Sequence, residues 1–484
     1  MDANALTRLD SFPYQHRLAE VMTRPALCVP GSLTLGEAAR RMDAQGVSSL
    51  LVEGDRPGSA AGIVTERDVL RAVARHGGDA LALPLTAVMG QPVHVLPETA
   101  YVYLALGRMD RLGVRHLAVT GADGRVVGIV TARQLLRQRA GKALALGDQV
   151  AVALDAAGMG AVRGALPALA RSLLAERVPP LDVAGVLAQV LRDLTARAAE
   201  LAVAEVESTE GPAPAPWCVL VLGSAGRGET LLSGDQDNAL VHAGGPADDP
   251  WFAAMGRRLN ALLDAAGVPL CKGGVMAGNA GWRHDEAGWR AVVDHWIAAA
   301  RPEDLLAVDI FFDFHAVGGD AALAADLRAF ALARAAASVG FLKNLASQLD
   351  DAREPLDLLG RFRTVEGRVD LKLNGAWPVV AAARVLALRN GIVATGTPDR
   401  LEALSTAGVL NESDAAGLAE LHAECLGLML EQQLADVDEG RTPSSRVDIR
   451  RLSRMRSRRL RDALRRIRLV PEVVREGLAS VSVG

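Results

Sequence analysis

The segment LGSAGRGETLLSGDQDNALV, residues 222–241, brings together residue types suited to phosphate and metal chemistry. Gly223 and Ser224 end an apolar run. A glycine lets the backbone turn sharply there, and the Ser224 hydroxyl could donate to a phosphate oxygen at the start of a following helix. Arg227 falls within the first turn and adds positive charge to the same contact. Asp235 and Asp237 flank Gln236, so on a strand both carboxylates leave from one face. Two adjacent carboxylates repel unless a cation lies between them, and oxygen-only ligands beside a phosphate turn suit Mg²⁺ better than zinc. The plain alternative is a solvated Gly-Asp turn. Further along, VDIFFDFHAVGGD reads as an aromatic strand with Phe312 and Phe314 on one side and Asp313 on the other, beside Phe311 and His315. A lone acid in such a strand is costly unless it is paired or bound to metal.

The elements that must position these groups are legible around them. WCVLVL, which follows GPAPAP, is an unbroken apolar run of strand length and reads as a buried strand. Upstream, residues 141–210 are Ala- and Leu-rich with helical periodicity, and predict a helical connector that ends at the Pro-Gly cluster. Trp289 and Trp296 share a helix face, where core packing is the expected role and an aromatic lid the alternative. Gly273-Gly274 predicts a tight loop close to substrate. After about Ser347 the chain is helical: GAWPVVAAARVLALRNG ends at Asn390-Gly391, and Thr397-Pro398 starts another helix. Near the C-terminus, DIRRLSRMRSRRLRDALRRIRLV predicts an amphipathic helix with Leu452, Met455, Leu460, Ala463, Leu464 and Ile467 inward. Its arginines would be solvated, with RNA contact as the alternative.

The first part of the chain repeats itself. Val21 opens VMTRPALCVPGSLTLGEAARRMDAQGVSSLLV and Val88 opens VMGQPVHVLPETAYVYLALGRMDRLGVRHLAV, and each copy continues to GIVT, at Gly62–Thr65 and Gly128–Thr131. Each copy predicts a helix, a strand (Ser49–Val52, His116–Val119), a turn at Gly54-Asp55 or Gly121–Gly124, a second strand and a second helix.

The whole is 484 residues long, enough for about three or four domains. A formal net charge of −4 gives no general attraction to nucleic acid or anionic membrane. No segment reads as a secretory signal or a membrane span. The four cysteines are scattered and the nine histidines lack metal-ligand spacing, so zinc and disulfides are not expected and a reducing cytoplasm is.

Two resemblances follow from these motifs. Residues 18–139 resemble a tandem pair of CBS domains, small β-α-β-β-α modules that sense adenine nucleotides. The resemblance implies that Thr65 contacts phosphate and Asp68 the ribose in the first copy. In the second copy, Thr131 keeps the first role, while Gln134 stands where the Asp would be. It also implies a homodimer through the CBS domains. GSAGRGETLLSGDQDNALV resembles the Gly-Ser turn and Asp-x-Asp strand of the polymerase-beta nucleotidyltransferase superfamily. With CKGGVMAGNAGW, IFFDFHAVGGD and DLKLNGAWPVVAAARVLAL, it is similar to a branch often fused to CBS pairs and related to the enzymes that uridylylate PII signalling proteins. His315 departs from that branch, where an arginine is common.

The resemblance implies that Asp235, Asp237 and Asp313 are catalytic and hold Mg²⁺ or Mn²⁺, that Gly223, Ser224, Arg227 and Lys372 bind the triphosphate of an NTP, and that Arg384 is a second basic position. The expected architecture is a mixed α/β and α+β multidomain chain: CBS domains at 17–79 and 84–140, a connector at 141–212, a nucleotidyltransferase domain at 213–346 and a helical substrate-binding-like domain at 347–484. The expected activity is transfer of NMP to a protein or small-molecule hydroxyl. A non-enzymatic nucleotide sensor and a tRNA nucleotidyltransferase are the alternatives.

Overall fold

The computed structural model describes residues 16–135, 149–299, 302–350 and 352–479, apart from positions 55, 57, 133 and 358. It forms two compact units, Met1–Leu144 and Ala145–Gly484.

In the first unit the repeat becomes two small sheets. One holds β1 (Cys28–Val29), β2 (Ser49–Glu53) and β3 (Ala60–Thr65); the other holds β4 (Val95–Pro97), β5 (His116–Thr120) and β6 (Val126–Thr131). In both, the first pair is parallel and the second antiparallel, and the register slips at the same place, after Val52 and after Val119. Amphipathic helices Leu35–Gln45 and Val102–Leu112 cross between the first two strands of each sheet. Of the expected turn residues, Asp55 lies outside the described positions.

The repeated Val-Met and Gly-Ile-Val-Thr motifs meet across the two copies. A Cβ on Gly128 would stand 2.5 Å from Sδ of Met22, and one on Gly62 would stand 2.3 Å from Sδ of Met89. Each methionine therefore lies in the notch left by the other copy's glycine. Backbone pairs continue the clasp: Thr23 N–H donates to Ile129 O at 2.9 Å and Gly90 N–H to Ile63 O at 2.8 Å. Leu18 and Val21 belong to the second copy's core, and Leu85 belongs to the first copy's.

The second unit is built on a four-stranded sheet in the order β10-β7-β8-β9, with β7 Trp217–Val221, β8 Asn238–His242, β9 Arg283–Asp285 and β10 His315–Gly319. The expected buried strand is the central β7, antiparallel to both neighbours. The helical connector differs from expectation. Its opening residues, 141–148, lie outside the described positions, and the rest belongs to this unit. Helix Pro180–Glu210 packs on helix Asp249–Ala265 and on β7 and β10, burying Val183, Leu187, Leu194 and Ala198. Its helical periodicity reflects a face packed on the sheet, a burial that periodicity alone shares with a free strut.

Trp282, Trp289 and Trp296 form an aromatic cluster with Phe311 in the core, and Trp289 Nε1 donates to Leu240 O at 2.8 Å. Helix Trp377–Arg389 is buried on every side from Pro378 to Leu388, with Arg384 as the charged residue inside that run. Helices Thr397–Thr406 and Glu412–Asp438 pack around it. The basic tail forms helix Arg454–Leu464, with Leu460, Leu464 and Ile467 inward and Met455 left 80% exposed. Three of its arginines pair with acids elsewhere in this chain: Arg456 with Glu431, Arg459 with Glu420 and Glu424, Arg468 with Glu354.

Candidate active site

The Gly-Ser turn is held in shape by what would collide with larger residues. Gly223 sits at φ +56°, and a Cβ there would come 2.9 Å from Oδ2 of Asp237. A Cβ on Gly226 would stand 2.1 Å from the backbone oxygen of Asp313. The short helix Gly223–Arg227 is thereby pressed against both acidic segments.

Asp235 and Asp237 lie just before β8, in extended chain rather than within the strand. Alternation nevertheless holds. Gln236 points inward, where its amide donates to Asn260 O and Val268 O and accepts from Asn260 Nδ2, while the two aspartates come together on the other side. Ligand atoms of Asp235, Asp237 and Cys271 lie within 4.8 Å of one another. Burial and the neighbouring Asp235 push the Asp237 carboxyl up to about 6. Burial and a hydrogen bond to Asp237 push the Cys271 thiol up to about 11, so it stays an S–H donor at neutral pH. A close carboxylate pair with a neutral thiol fits a hard, oxygen-seeking divalent cation, with remaining ligands from water and substrate. Gly274, at φ +70°, closes the adjacent tight turn, its N–H bonded to Cys271 O at 3.0 Å.

Asp313 requires correction. It lies between helix Pro302–Phe311 and β10, not on a strand, and it does not join the aspartate pair. Its carboxylate is fully buried and taken by three guanidiniums: Arg227 at 2.6 Å, Arg384 at 2.6 and 3.1 Å, and Arg400 at 2.7 Å. Burial alone would raise its pKa; Arg384, Arg400 and Arg227 outweigh that and hold it well below the usual carboxylate range. In this geometry the Asp313 carboxylate oxygens are engaged by arginines rather than shared with Asp235 and Asp237. Sequence could not place Arg384 and Arg400, which arrive from the helical region.

A cavity of about 240 Å³ joins Gly223, Ser224, Arg227, Asp235, Asp237 and Lys372. Lys372 is exposed and near enough to lower the Asp237 pKa by its charge. Arg227 and Arg384 also line the cavity, but their guanidiniums are committed, Arg227 to Glu229 and Asp313, Arg384 to Asp309 and Asp313. Sequence reasoning passed over Asp309, Glu229 and His422, which also line it. Asp309 accepts from Trp377 Nε1 at 3.1 Å as well as from Arg384. Glu229 is held below its usual range: His422 and Arg227 together overcome its burial. The legible signal for His422 was a histidine inside the otherwise apolar run LHAECLGLML.

Among the described residues, two of the clefts in the first unit are lined by both copies. Thr65, Asp68, Arg67, Arg71 and His116 line one of about 370 Å³. Asp68 there accepts from Thr65 Oγ1 at 2.7 Å and Thr65 N at 3.0 Å, a capping box at the head of helix Glu66–His76. Thr131 and Gln134 line the other, about 670 Å³. Gln134 Nε2 is spent on Val21 O at 2.6 Å and Thr23 Oγ1 at 3.2 Å, and its N–H caps onto Thr131 Oγ1.

Family models match nearly the whole of this arrangement: "CBS domain" at residues 18–75 and 85–141, "Putative nucleotidyltransferase DUF294" at 164–303, and "Putative nucleotidyltransferase substrate binding domain" at 339–477. The nucleotidyltransferase match begins inside helix Ala156–Ala175. Among curated proteins, an uncharacterized 17.7 kDa protein of Acidianus ambivalens is 31% identical over 121 residues, covering 25% of this chain and 71% of its own. A CBS domain-containing protein of Arabidopsis thaliana is 39% identical over 106 residues, 22% of this chain and 19% of its own. An uncharacterized protein of Methanopyrus kandleri is matched over 61% of its length. Among solved structures, a CBS domain protein from Pyrobaculum aerophilum complexed with AMP is 28% identical, covering 26% of this chain and 98% of its own, with a TM-score of 0.24. A CBS-domain containing protein from Agrobacterium tumefaciens is 27% identical, covering 25% and 94%, with a TM-score of 0.23. With both halves matched in order, the chain belongs to the family that joins a tandem CBS pair to a nucleotidyltransferase-type domain and its substrate-binding domain.

Proposed function

We propose that the second unit transfers an NMP group from an NTP to a hydroxyl acceptor with loss of pyrophosphate, and that adenine nucleotide in the first unit controls the rate. The observation that carries the reading is the close pair Asp235 and Asp237 beside the Gly-Ser turn, lining one cavity with it. Asp235 and Asp237 would hold Mg²⁺ or Mn²⁺; when bound, the cation neutralises triphosphate charge and makes the α-phosphorus easier to attack. Ser224 and the surrounding backbone orient the phosphates, and Lys372 supplies exposed positive charge. Arg227 and Arg384, fixed by their acids, shape the wall. The acceptor is a protein hydroxyl or a small molecule, and a cytoplasmic homodimer is the expected setting.

One observation favours a second reading. Asp313, expected as the third metal-binding carboxylate, is locked by arginines, as suits a domain that binds nucleotide without turning it over. The paired arginines of the tail weigh against tRNA. Incubating full-length protein with each α-labelled NTP, Mg²⁺ and cell lysate separates the readings. Label transfer that a chelator abolishes supports the enzyme; tight NTP binding without pyrophosphate release supports the sensor.

A further inference from the structure

Helix Pro180–Glu210 sends one arginine to the Gly-Ser turn. Arg192 is half-buried, and its guanidinium reaches two backbone oxygens there: Nε donates to Ala225 O at 2.8 Å and Nη2 donates to Gly226 O at 2.8 Å. Both carbonyls belong to the short helix Gly223–Arg227. So short a helix cannot bond its own last carbonyls, and an arginine from outside supplies the missing donors together with a charge favourable to that helix end. The planar fork of a guanidinium holds two acceptors at a fixed spacing, which a lysine ammonium cannot do. A second arginine acts on the same stretch of chain: Arg163, from helix Ala156–Ala175, donates to Leu232 O at 2.5 Å.

The turn that Arg192 holds is tight against the site. Gly223 and Gly226 leave no room for a Cβ beside Asp237 Oδ2 and the Asp313 backbone oxygen, so any shift of the turn changes its spacing to both acidic segments. The carboxylate pair is held by different contacts. Gln236 N–H donates to Pro269 O at 3.0 Å, its side-chain amide donates to Asn260 O and Val268 O, and Asn238 N–H donates to Val275 O at 3.1 Å. The two stretches meet at the end of the β7–β8 ladder, where Leu222 N–H donates to Asp237 O at 2.9 Å, yet each has its own anchors. Loosening one should therefore not dismantle the other.

We propose that Arg192 is a positioning residue for the phosphate turn: by holding Ala225 O and Gly226 O together it fixes Gly223 and Ser224 against Asp237, where a cation-bound triphosphate meets both. The proposal rests on the reading of the cavity as a triphosphate site. The test uses full-length protein with AMP held saturating for the first unit, titrated calorimetrically with Mg²⁺ alone and then with inorganic triphosphate in Mg²⁺. Arg192→Ala should weaken triphosphate binding about tenfold, the effect of losing hydrogen bonds from a charged donor. Its Mg²⁺ affinity should stay within about twofold of wild type, because the carboxylate pair keeps its own anchors. Adding about 50 mM guanidinium, far below denaturing concentrations, should restore most of the triphosphate affinity of Arg192→Ala and leave wild type unchanged, each measured against the same concentration of NaCl. Arg192→Lys keeps the charge but lacks the fork, and should show the same split at about threefold, which carries the test if the alanine variant does not fold. A loss shared equally by Mg²⁺, or one that guanidinium does not restore, overturns the proposal. If wild type binds no triphosphate, the reading of the cavity falls and the proposal with it; triphosphate binding by wild type that both variants retain in full overturns the proposal alone.

Discussion

At pH 7 the Asp237 carboxyl, pushed up to about 6 by burial and by Asp235, is ionised at a cost the unfolded chain does not share. Below about pH 4 both states are protonated and the cost vanishes. It grows as pH rises from there to about 6 and is constant above. Asp237→Asn should therefore stabilise the metal-free protein by roughly 2 kcal/mol at pH 7–8, with the gain disappearing by pH 4, as read from denaturant melts across pH. Mg²⁺ should raise the melting temperature of wild type and not of the variant, and the variant should lose Mg²⁺-dependent transfer. Asp313 predicts the opposite sign. Removing it leaves Arg400 buried without a carboxylate partner and Arg384 with Asp309 alone, so Asp313→Ala should cost about 3–5 kcal/mol at neutral pH, metal or no metal. Were Asp313→Ala as stable as wild type, the arginine cage would not be the role of that carboxylate.

At the scale of elements, Gly226 is where helix, strand end and acid loop converge. Gly226→Ala would drive a methyl to 2.1 Å from the Asp313 backbone oxygen, which flexible side chains cannot relieve. Overpacking of this kind should cost about 1–3 kcal/mol and displace Asp313 from its arginines, seen as a lowered melting temperature with wild-type far-ultraviolet circular dichroism. How much of this was legible depends on range. WCVLVL, the Gly-Ser turn and the alternation that aims Asp235 and Asp237 together are local, and local pattern carried them. VDIFFDF reads equally as strand because an apolar run of that length has no decisive period. The helix-start signals just upstream, Pro302 with Glu303 and Asp304, pointed to the helix Pro302–Phe311 that forms. The partners of Asp313 and Glu229 come from Arg384, Arg400, Thr397 and His422, far along the chain, and no local pattern announces such meetings.

At the scale of the molecule, a sensor ligand alters turnover only if it binds the active and inactive states unequally. AMP, which the transfer reaction cannot consume, should change the rate of the full chain, with a coupling on the order of 1–3 kcal/mol, roughly five- to 150-fold. Asp68→Ala should abolish the response and substitution of Gln134 should not, because the Gln134 amide is already engaged by Val21 and Thr23. A rate indifferent to saturating AMP in wild type would leave the two units independent. The reciprocal seating of Met22 on Gly128 and Met89 on Gly62 has a consequence for how this sensor is inherited and made. Neither repeat owns all the parts of its own core: each lends its leading segment to the other, as two hands do in a handshake. A polypeptide ending between the repeats should not fold alone, whereas the two repeats expressed as separate chains should find each other and restore AMP binding in trans.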